Sequence, residues 1–131
     1  MSIPVDLDAL ADTIAERGPV AFFLTGGPDG RPHATHATVE LDGGVLRVGA
    51  GRKTARNATD RPAVSFLWPP AEEGGYSLIV DGDAVVEGDE GERVAVVTPS
   101  FAVLHRPADH TAPPADAADG ACESDCKPIG G

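Results

Sequence analysis

The residues best suited to bind a ligand are basic side chains clustered between positions 47 and 61. Five of the ten Lys and Arg residues of the chain lie in this stretch, where Asp60 is the only acidic residue. These five are Arg47, Arg52, Lys53, Arg56 and Arg61. Because the whole chain carries a net charge of −11, such a local excess of positive charge indicates that an anionic group binds beside it.

The spacing of these side chains predicts a phosphate site at the start of a helix. A strand predicted over Val45–Gly49 leads into a helix predicted over residues 52–59. Arg52 and Lys53 lie four and three positions before Arg56, so the three side chains can share one helix face. The first turn of a helix also presents unpaired N–H groups and a partial positive charge. The alternative is a solvated basic helix paired with acidic neighbours, and the spacing alone leaves both interpretations open.

Composition and charge exclude several other kinds of partner. A net charge of −11 and a pI near 4.5 argue against binding to nucleic acid and to anionic membranes. No apolar stretch approaches the ~20 residues of a transmembrane helix. The first four residues lack the basic start and apolar core of a signal peptide, so a cytoplasmic location is predicted.

The two cysteines are too close in sequence for a disulfide between them to stabilise the fold. Cys122 and Cys126 lie four positions apart in an Ala-, Pro- and Asp-rich segment. They could bind a soft metal ion with His105 or His110, or form a redox-active disulfide. A reduced dithiol on a flexible tail is the simpler interpretation. No metal site is predicted elsewhere.

The hydrophobic period predicts one opening helix. Over residues 6–17, Leu7, Leu10, Ala11 and Ile14 recur at the spacing of a single helix face. Asp6 is a suitable N-cap, and Gly18-Pro19 ends the helix.

The pattern then changes to about six strands, which favours a closed or nearly closed barrel over a sandwich. Gly82 is predicted either to turn a hairpin or to form a bulge in one long strand. An interruption is expected at Thr98-Pro99. The strands are predicted over residues 20–25, 32–41, 45–49 and 63–68, then over 76–80 leading through 81–83 into 84–87, and finally over 93–97 and 102–105. Residues 1–106 are thus predicted to form one domain, and residues 107–131 a flexible tail.

Several motifs follow one another in a fixed order from residue 29 to residue 66. They are Asp29-Gly30-Arg31-Pro32-His33, two strands joined by a Gly turn, Gly51-Arg52-Lys53-Thr54-Ala55-Arg56-Asn57, and Arg61-Pro62-Ala63-Val64-Ser65-Phe66. In order and spacing, the chain over residues 5–105 resembles the pyridoxamine 5'-phosphate oxidase-like family of FMN-binding split barrels. That family includes a branch that uses the deazaflavin coenzyme F420. The resemblance implies a mainly β, six-stranded antiparallel split barrel and a homodimer with two cofactor sites at its interface.

The resemblance also implies which residues bind the cofactor. Arg52 and Lys53 match the pair that holds the cofactor phosphate in the family, and Arg56 and Asn57 match the residues that follow. Beside the ring system, the resemblance points to Thr35, His36, Thr38, Val48 and Gly49.

The implied activity is an FMN-dependent oxidoreductase acting on a small organic substrate, with F420 as the alternative cofactor. Residues 106–131 do not match the C-terminal Arg/His segment with which pyridoxamine 5'-phosphate oxidase binds its substrate, so the chain is not expected to be that enzyme. The sequence indicates no catalytic acid–base pair. Two alternatives remain: a split barrel that carries or senses a ligand without turnover, and a metal or redox protein acting through its tail.

Overall fold

The computed structural model describes residues 1–107, which fold into seven strands and two short helices. The strands are β1 (Ser2–Pro4), β2 (Val20–Gly26), β3 (Pro32–Asp42), β4 (Val45–Gly49), β5 (Ala63–Trp68), β6 (Ser77–Glu87) and β7 (Val94–His105). The helices are α1 (Leu10–Ala15) and α2 (Arg52–Asp60). The tail with Cys122 and Cys126 lies outside the described residues, as does His110.

Six strands close into an antiparallel barrel, as predicted, and the sandwich alternative is wrong. Along the sheet the order is β7-β4-β3-β2-β5-β6, and β6 pairs again with β7. Every pairing is antiparallel. Closure removes the free edges that an open sheet would present.

The short strand β1 was not predicted. It pairs with the end of β7, where Ser2 lies opposite His105. Met1 and Arg106 extend the ladder, since each backbone N donates to the carbonyl oxygen of the other at 2.9 and 3.0 Å. All three residues of β1 are exposed, so the sequence shows no alternation that would reveal a strand.

Strand β6 is one continuous strand, and Gly82 lies in it at a bulge rather than in a hairpin turn. A Cβ atom at Gly82 would lie 2.5 Å from the carbonyl oxygen of Thr98 and 2.7 Å from a methyl group of Val97. This close approach of two backbones requires glycine.

Strand β7 continues through the interruption predicted at Thr98-Pro99. The register shifts at this point, so that Asp81 lies opposite Phe101 and Gly82 lies opposite Pro99. The extra residue, Ser100, forms a β-bulge, which is a position where a strand tolerates proline.

The barrel core is built on three stacked aromatic rings. Phe23 and Phe66 stack with centroids 4.8 Å apart, and Trp68 lies 5.8 Å from Phe66. Trp68 is fully buried and its Nε1 donates to the carbonyl oxygen of Gly18 at 2.9 Å. Trp68 is therefore a core residue.

The opening helix is shorter than predicted. Asp6 caps it as expected, because its carboxylate accepts from the N–H of Asp8 at 3.1 Å. A 3₁₀ turn over Leu7–Ala9 precedes α1, and of the predicted apolar face only Leu10 and Ile14 are buried. Among residues 1–107, no helix is long and apolar enough to cross a membrane.

Candidate anion-binding groove

Helix α2 begins at an open surface. Gly51 caps it with an extended backbone, and no side chain bonds to the free N–H groups of the first turn. A Cβ atom at Gly51 would meet no atom within 4 Å, so space lies beside the helix start. Unpaired N–H groups next to open space make this end of the helix suitable for an anion.

A groove of about 660 Å³, here called the basic groove, runs between α2 and the turn that joins β2 to β3. It holds four Arg and Lys side chains, and Asp29 is the only acidic residue among those that line it. One bank consists of Arg52, Lys53, Arg56 and Asn57, and the other of Gly27, Pro28, Asp29, Arg31, Pro32 and His33. The three basic residues predicted to share one face of α2 therefore do line one cavity.

The five-residue basic cluster of the sequence divides into separate environments. Arg47 lies on β4 opposite Glu40 and is not part of the groove lining. Arg61 turns inward, and its Nε donates to the carbonyl oxygen of Gly26 at 2.7 Å. Arg52, Lys53 and Arg56 therefore supply the positive charge on the α2 bank.

The alternative interpretation, a solvated basic helix paired with acidic neighbours, applies in the described part of the chain to Arg52 alone among these three residues. Arg52 lies 3.3 Å from the carboxylate of Glu90, and both side chains are exposed. Within residues 1–107, neither Lys53 nor Arg56 has a carboxylate within 4.0 Å. Two cations of the α2 bank are thus available to an external anion.

Asn57 is buried beneath the groove. It is 1% exposed, and its Nδ2 donates to Thr25 Oγ1 at 3.2 Å. Its Oδ1 accepts from Nη2 of Arg61 at 3.5 Å. Both ends of the side chain are therefore bonded within the protein.

The predicted ring-contact residues of β3 point to opposite faces of the strand. Thr35 shares the inward face with Val39, which is buried in the core. His36 and Thr38 lie on the exposed outer face, where the His36 ring is 5.2 Å from that of Phe22. None of the three predicted residues lines the basic groove.

The predicted residues of β4 also lie away from the groove lining. The Val48 side chain is 2% exposed and packs in the core, whereas Gly49 is exposed at the end of the strand. The structure therefore groups Arg52, Lys53, Arg56 and Asn57, and it does not bring the other five predicted residues to the same cavity.

The turn between β2 and β3 supplies groove residues that the sequence analysis did not assign. They are Asp29, Arg31 and His33. The signal was present, since these residues belong to the motif over positions 29–33. What the sequence could not indicate is that this turn lies across a groove from a helix more than twenty positions later.

A row of apolar side chains crosses the outside of the barrel. Phe22 lies opposite Leu67, Leu67 opposite Ile79, and Ile79 opposite Val103. We call these four residues the outer row. Phe22 is 36% exposed and the other three are half-buried, and His36 continues the row on β3. The row therefore leaves apolar side chains partly exposed in register across four neighbouring strands.

Some known proteins are similar to the chain in sequence, and others are similar to it in fold. The chain is 39% identical over 128 residues to uncharacterized proteins of Mycobacterium bovis and Mycobacterium tuberculosis, covering 95% of this chain and 80% of each relative. No protein-family model matches the chain.

Solved structures have the same architecture at low sequence identity. A candidate pyridoxamine 5'-phosphate oxidase from Listeria innocua has a TM-score of 0.63 at 21% identity, covering 76% of this chain and 98% of its own. An F420 reductase has a TM-score of 0.57 at 22% identity, covering 70% and 94%. HutZ, a heme storage protein from Vibrio cholerae, has a TM-score of 0.59 at 13% identity, covering 78% and 96%.

The barrel therefore has the split-barrel fold of the pyridoxamine 5'-phosphate oxidase-like proteins. Within that class, the chain belongs to the same family as the two mycobacterial relatives. Proteins with this fold include an F420 reductase and a heme storage protein, so the groove must be considered on its own chemistry.

Proposed function

We propose that the protein is an oxidoreductase that holds the phosphate of FMN, or of F420, in the basic groove. The observation that carries this proposal is the convergence of Arg52, Lys53 and Arg56 on one cavity at the start of α2. A phosphate there accepts charge-assisted hydrogen bonds from these side chains and from the first N–H groups of the helix. The pocket volume of about 660 Å³ is within the range of small-molecule sites.

The cofactor, when bound, supplies the hydride or electron transfer to a small organic substrate. The protein supplies binding and orientation. Lys53 and Arg56 neutralise the phosphate, and Arg52 joins them when its exposed ion pair with Glu90 opens. His33, on the opposite bank, can hydrogen-bond to the part of the ligand beyond the phosphate.

The proposal includes a homodimer formed through the outer row. A domain of this size buries a smaller fraction of its surface than a large one does, so covering an apolar strip adds to its stability. His36 and Thr38 lie on the same outer face as Phe22 and away from the groove lining of their own chain. In a dimer they are available to the cofactor bound by the other copy. A cytoplasmic location is also part of this proposal.

Equilibrium titration tests the cofactor assignment. Purified protein is titrated with FMN, with F420 and with riboflavin, and binding is followed by the fluorescence of each ring system. We expect one of the two phosphate-bearing cofactors to bind at least tenfold more tightly than riboflavin, because a phosphate that meets several cations contributes more than 1.4 kcal/mol. Equal affinity for FMN and riboflavin, together with no binding of F420, would refute the phosphate site.

The second candidate is a non-catalytic carrier or sensor of a planar ligand. It is favoured by the shared fold of the heme storage protein HutZ and by the exposed His36 imidazole beside Phe22. Titration with heme, with a His36→Ala variant as control, tests it. A Soret shift that depends on His36, combined with no oxidation of reduced FMN or F420 by any acceptor, would select the carrier over the enzyme.

A further inference from the structure

A buried polar bridge connects α2 to the turn on the opposite bank of the basic groove. Asn57 Nδ2 donates to Thr25 Oγ1 at 3.2 Å, and the two residues are 1% and 4% exposed. Asn57 Oδ1 accepts from Nη2 of Arg61 at 3.5 Å, and Nε of Arg61 donates to the carbonyl oxygen of Gly26 at 2.7 Å. The bridge thus ends on the last two residues of β2.

The turn that follows β2 is tightly folded from the point where the bridge ends. The N–H of Gly27 donates to the carbonyl oxygen of Arg31 at 2.9 Å, and the N–H of Gly30 donates to that of Gly27 at 3.0 Å. The Asp29 carboxylate accepts from the N–H of Arg31 at 3.0 Å. Because these bonds hold the turn together, a displacement of Gly26 moves the whole bank.

We propose that Asn57 and Thr25 are positioning residues that fix the distance between the two banks of the groove. This inference rests on the proposed function, since it takes the anion to bind between those banks. Asn57 lines the groove, but it is 1% exposed and both ends of its side chain are bonded to protein atoms, so its effect on the ligand is transmitted through the turn. Charge-assisted hydrogen bonds are directional, and cations held at a fixed separation bind an anion better than mobile ones.

The first test separates positioning from bulk stability by ligand preference. For wild type, Thr25→Val and Thr25→Ser, dissociation constants are measured for whichever of FMN and F420 binds wild type more tightly, and for the same ring system without its phosphate. Thr25→Val removes the acceptor of Asn57 and keeps the shape of the side chain. We expect this variant to bind the phosphate-bearing cofactor about tenfold more weakly than wild type does, and to bind the phosphate-free form with almost unchanged affinity. Thr25→Ser keeps the hydroxyl and should restore wild-type preference.

A matched control breaks a buried hydrogen bond at the other end of β2. Trp68→Phe removes the bond from Trp68 Nε1 to Gly18, far from the groove lining. It should lower stability while leaving the preference for the phosphate-bearing form unchanged. A purely structural role for Thr25 would make the two variants behave alike.

Amide hydrogen exchange provides a second test that needs no ligand. In Asn57→Leu and Thr25→Val, the N–H groups of Gly27 and Gly30 should exchange faster than in wild type, whereas the barrel amides of β6 should not. An unchanged phosphate preference in Thr25→Val overturns the inference, and so does unchanged exchange at the two glycines. Wild type without any phosphate preference would instead refute the proposed function, and the exchange experiment would still decide whether the bridge holds the turn.

Discussion

The basic groove and the outer row lie on one barrel and expose opposite kinds of side chain. The groove collects four cations around one carboxylate, at the start of α2 and the turn after β2. The outer row exposes Phe22, Leu67, Ile79 and Val103 in register across four strands. The groove is suited to bind an anion through directional, charge-assisted hydrogen bonds. The row is suited to bind another protein surface by burying apolar area, which is not directional. The two surfaces should therefore respond to different perturbations, with the groove sensitive to salt and the row insensitive to it.

The largest expected effect is on the outer row. Ile79→Lys places a charge at the middle of the row, and in a symmetric dimer two such charges are brought together and desolvated. Like charges at an interface cost several kcal/mol, so the dimer should dissociate at ~10 µM protein. Sedimentation velocity measures this.

Val85→Lys is the matched control for that experiment. Val85 is on the same strand, is 63% exposed and lies outside the row. It should leave the dimer intact. A monomeric wild type, or equal disruption by both variants, would contradict the assignment of the row as the dimer surface.

The next largest effect is expected in the groove. The double variant Lys53→Gln, Arg56→Gln removes the two cations of the α2 bank that have no carboxylate partner among residues 1–107. Each substitution is expected to lower the affinity for the phosphate-bearing cofactor about tenfold. The combined loss of about a hundredfold should be smaller at high salt, because screening already weakens the wild-type contacts. Titration at low and high salt measures both quantities. Arg47→Gln removes one positive charge outside the groove and should have no effect, so a tenfold loss of affinity there would mean that only net charge matters.

A third experiment tests the scaffold that the two surfaces share. Gly82→Ala forces a Cβ atom to within 2.5 Å of the carbonyl oxygen of Thr98, which should lower the free energy of unfolding by about 2 kcal/mol. Urea denaturation measures this value. Gly49→Ala is the control, because its Cβ atom meets nothing within 4 Å and the residue lies at the end of a strand rather than at a helix cap. Equal destabilisation by both would show that the close approach at the bulge is not the cause.

The smallest expected effect concerns Arg52, the cation of the α2 bank that has a carboxylate partner within the protein. Glu90→Gln releases Arg52 from its exposed ion pair, and pairs of this kind contribute between about 0 and 1 kcal/mol. Affinity for the phosphate-bearing cofactor should rise about twofold to threefold. A decrease in affinity, measured in the same titration, would mean that Glu90 holds Arg52 in place for the ligand rather than away from it.

Local sequence patterns predicted most of the barrel correctly. The sequence pattern identified β3 within one residue of its bounds, and the basic spacing located α2 almost to the residue. Strand β1 escaped because all its residues are exposed, and the predicted break at Pro99 was wrong because a bulge absorbs the proline. Both misses concern pairing with β7, which a local pattern does not reveal.

The groove was predictable only on one bank. Arg52, Lys53 and Arg56 follow from helix periodicity, which is local. The contribution of Arg31 and His33 depends on how the turn after β2 folds against α2, which is a long-range contact. Helix periodicity also does not distinguish an exposed polar side chain from a buried one that is hydrogen-bonded within the protein. The burial of Asn57 and the bond from Arg61 to Gly26 could therefore not be predicted from the sequence.

Met1 and Arg106 are hydrogen-bonded neighbours, so these two positions of the chain lie side by side in the barrel. The same arrangement of strands can therefore be built from a chain that begins at a different residue. A gene rearranged to join residue 106 to residue 1 through a short linker could begin instead at the exposed hairpin turn, Gly43-Gly44. Such a circular permutant would keep every strand neighbour of the barrel while β3 and β4 came to lie at opposite ends of the polypeptide.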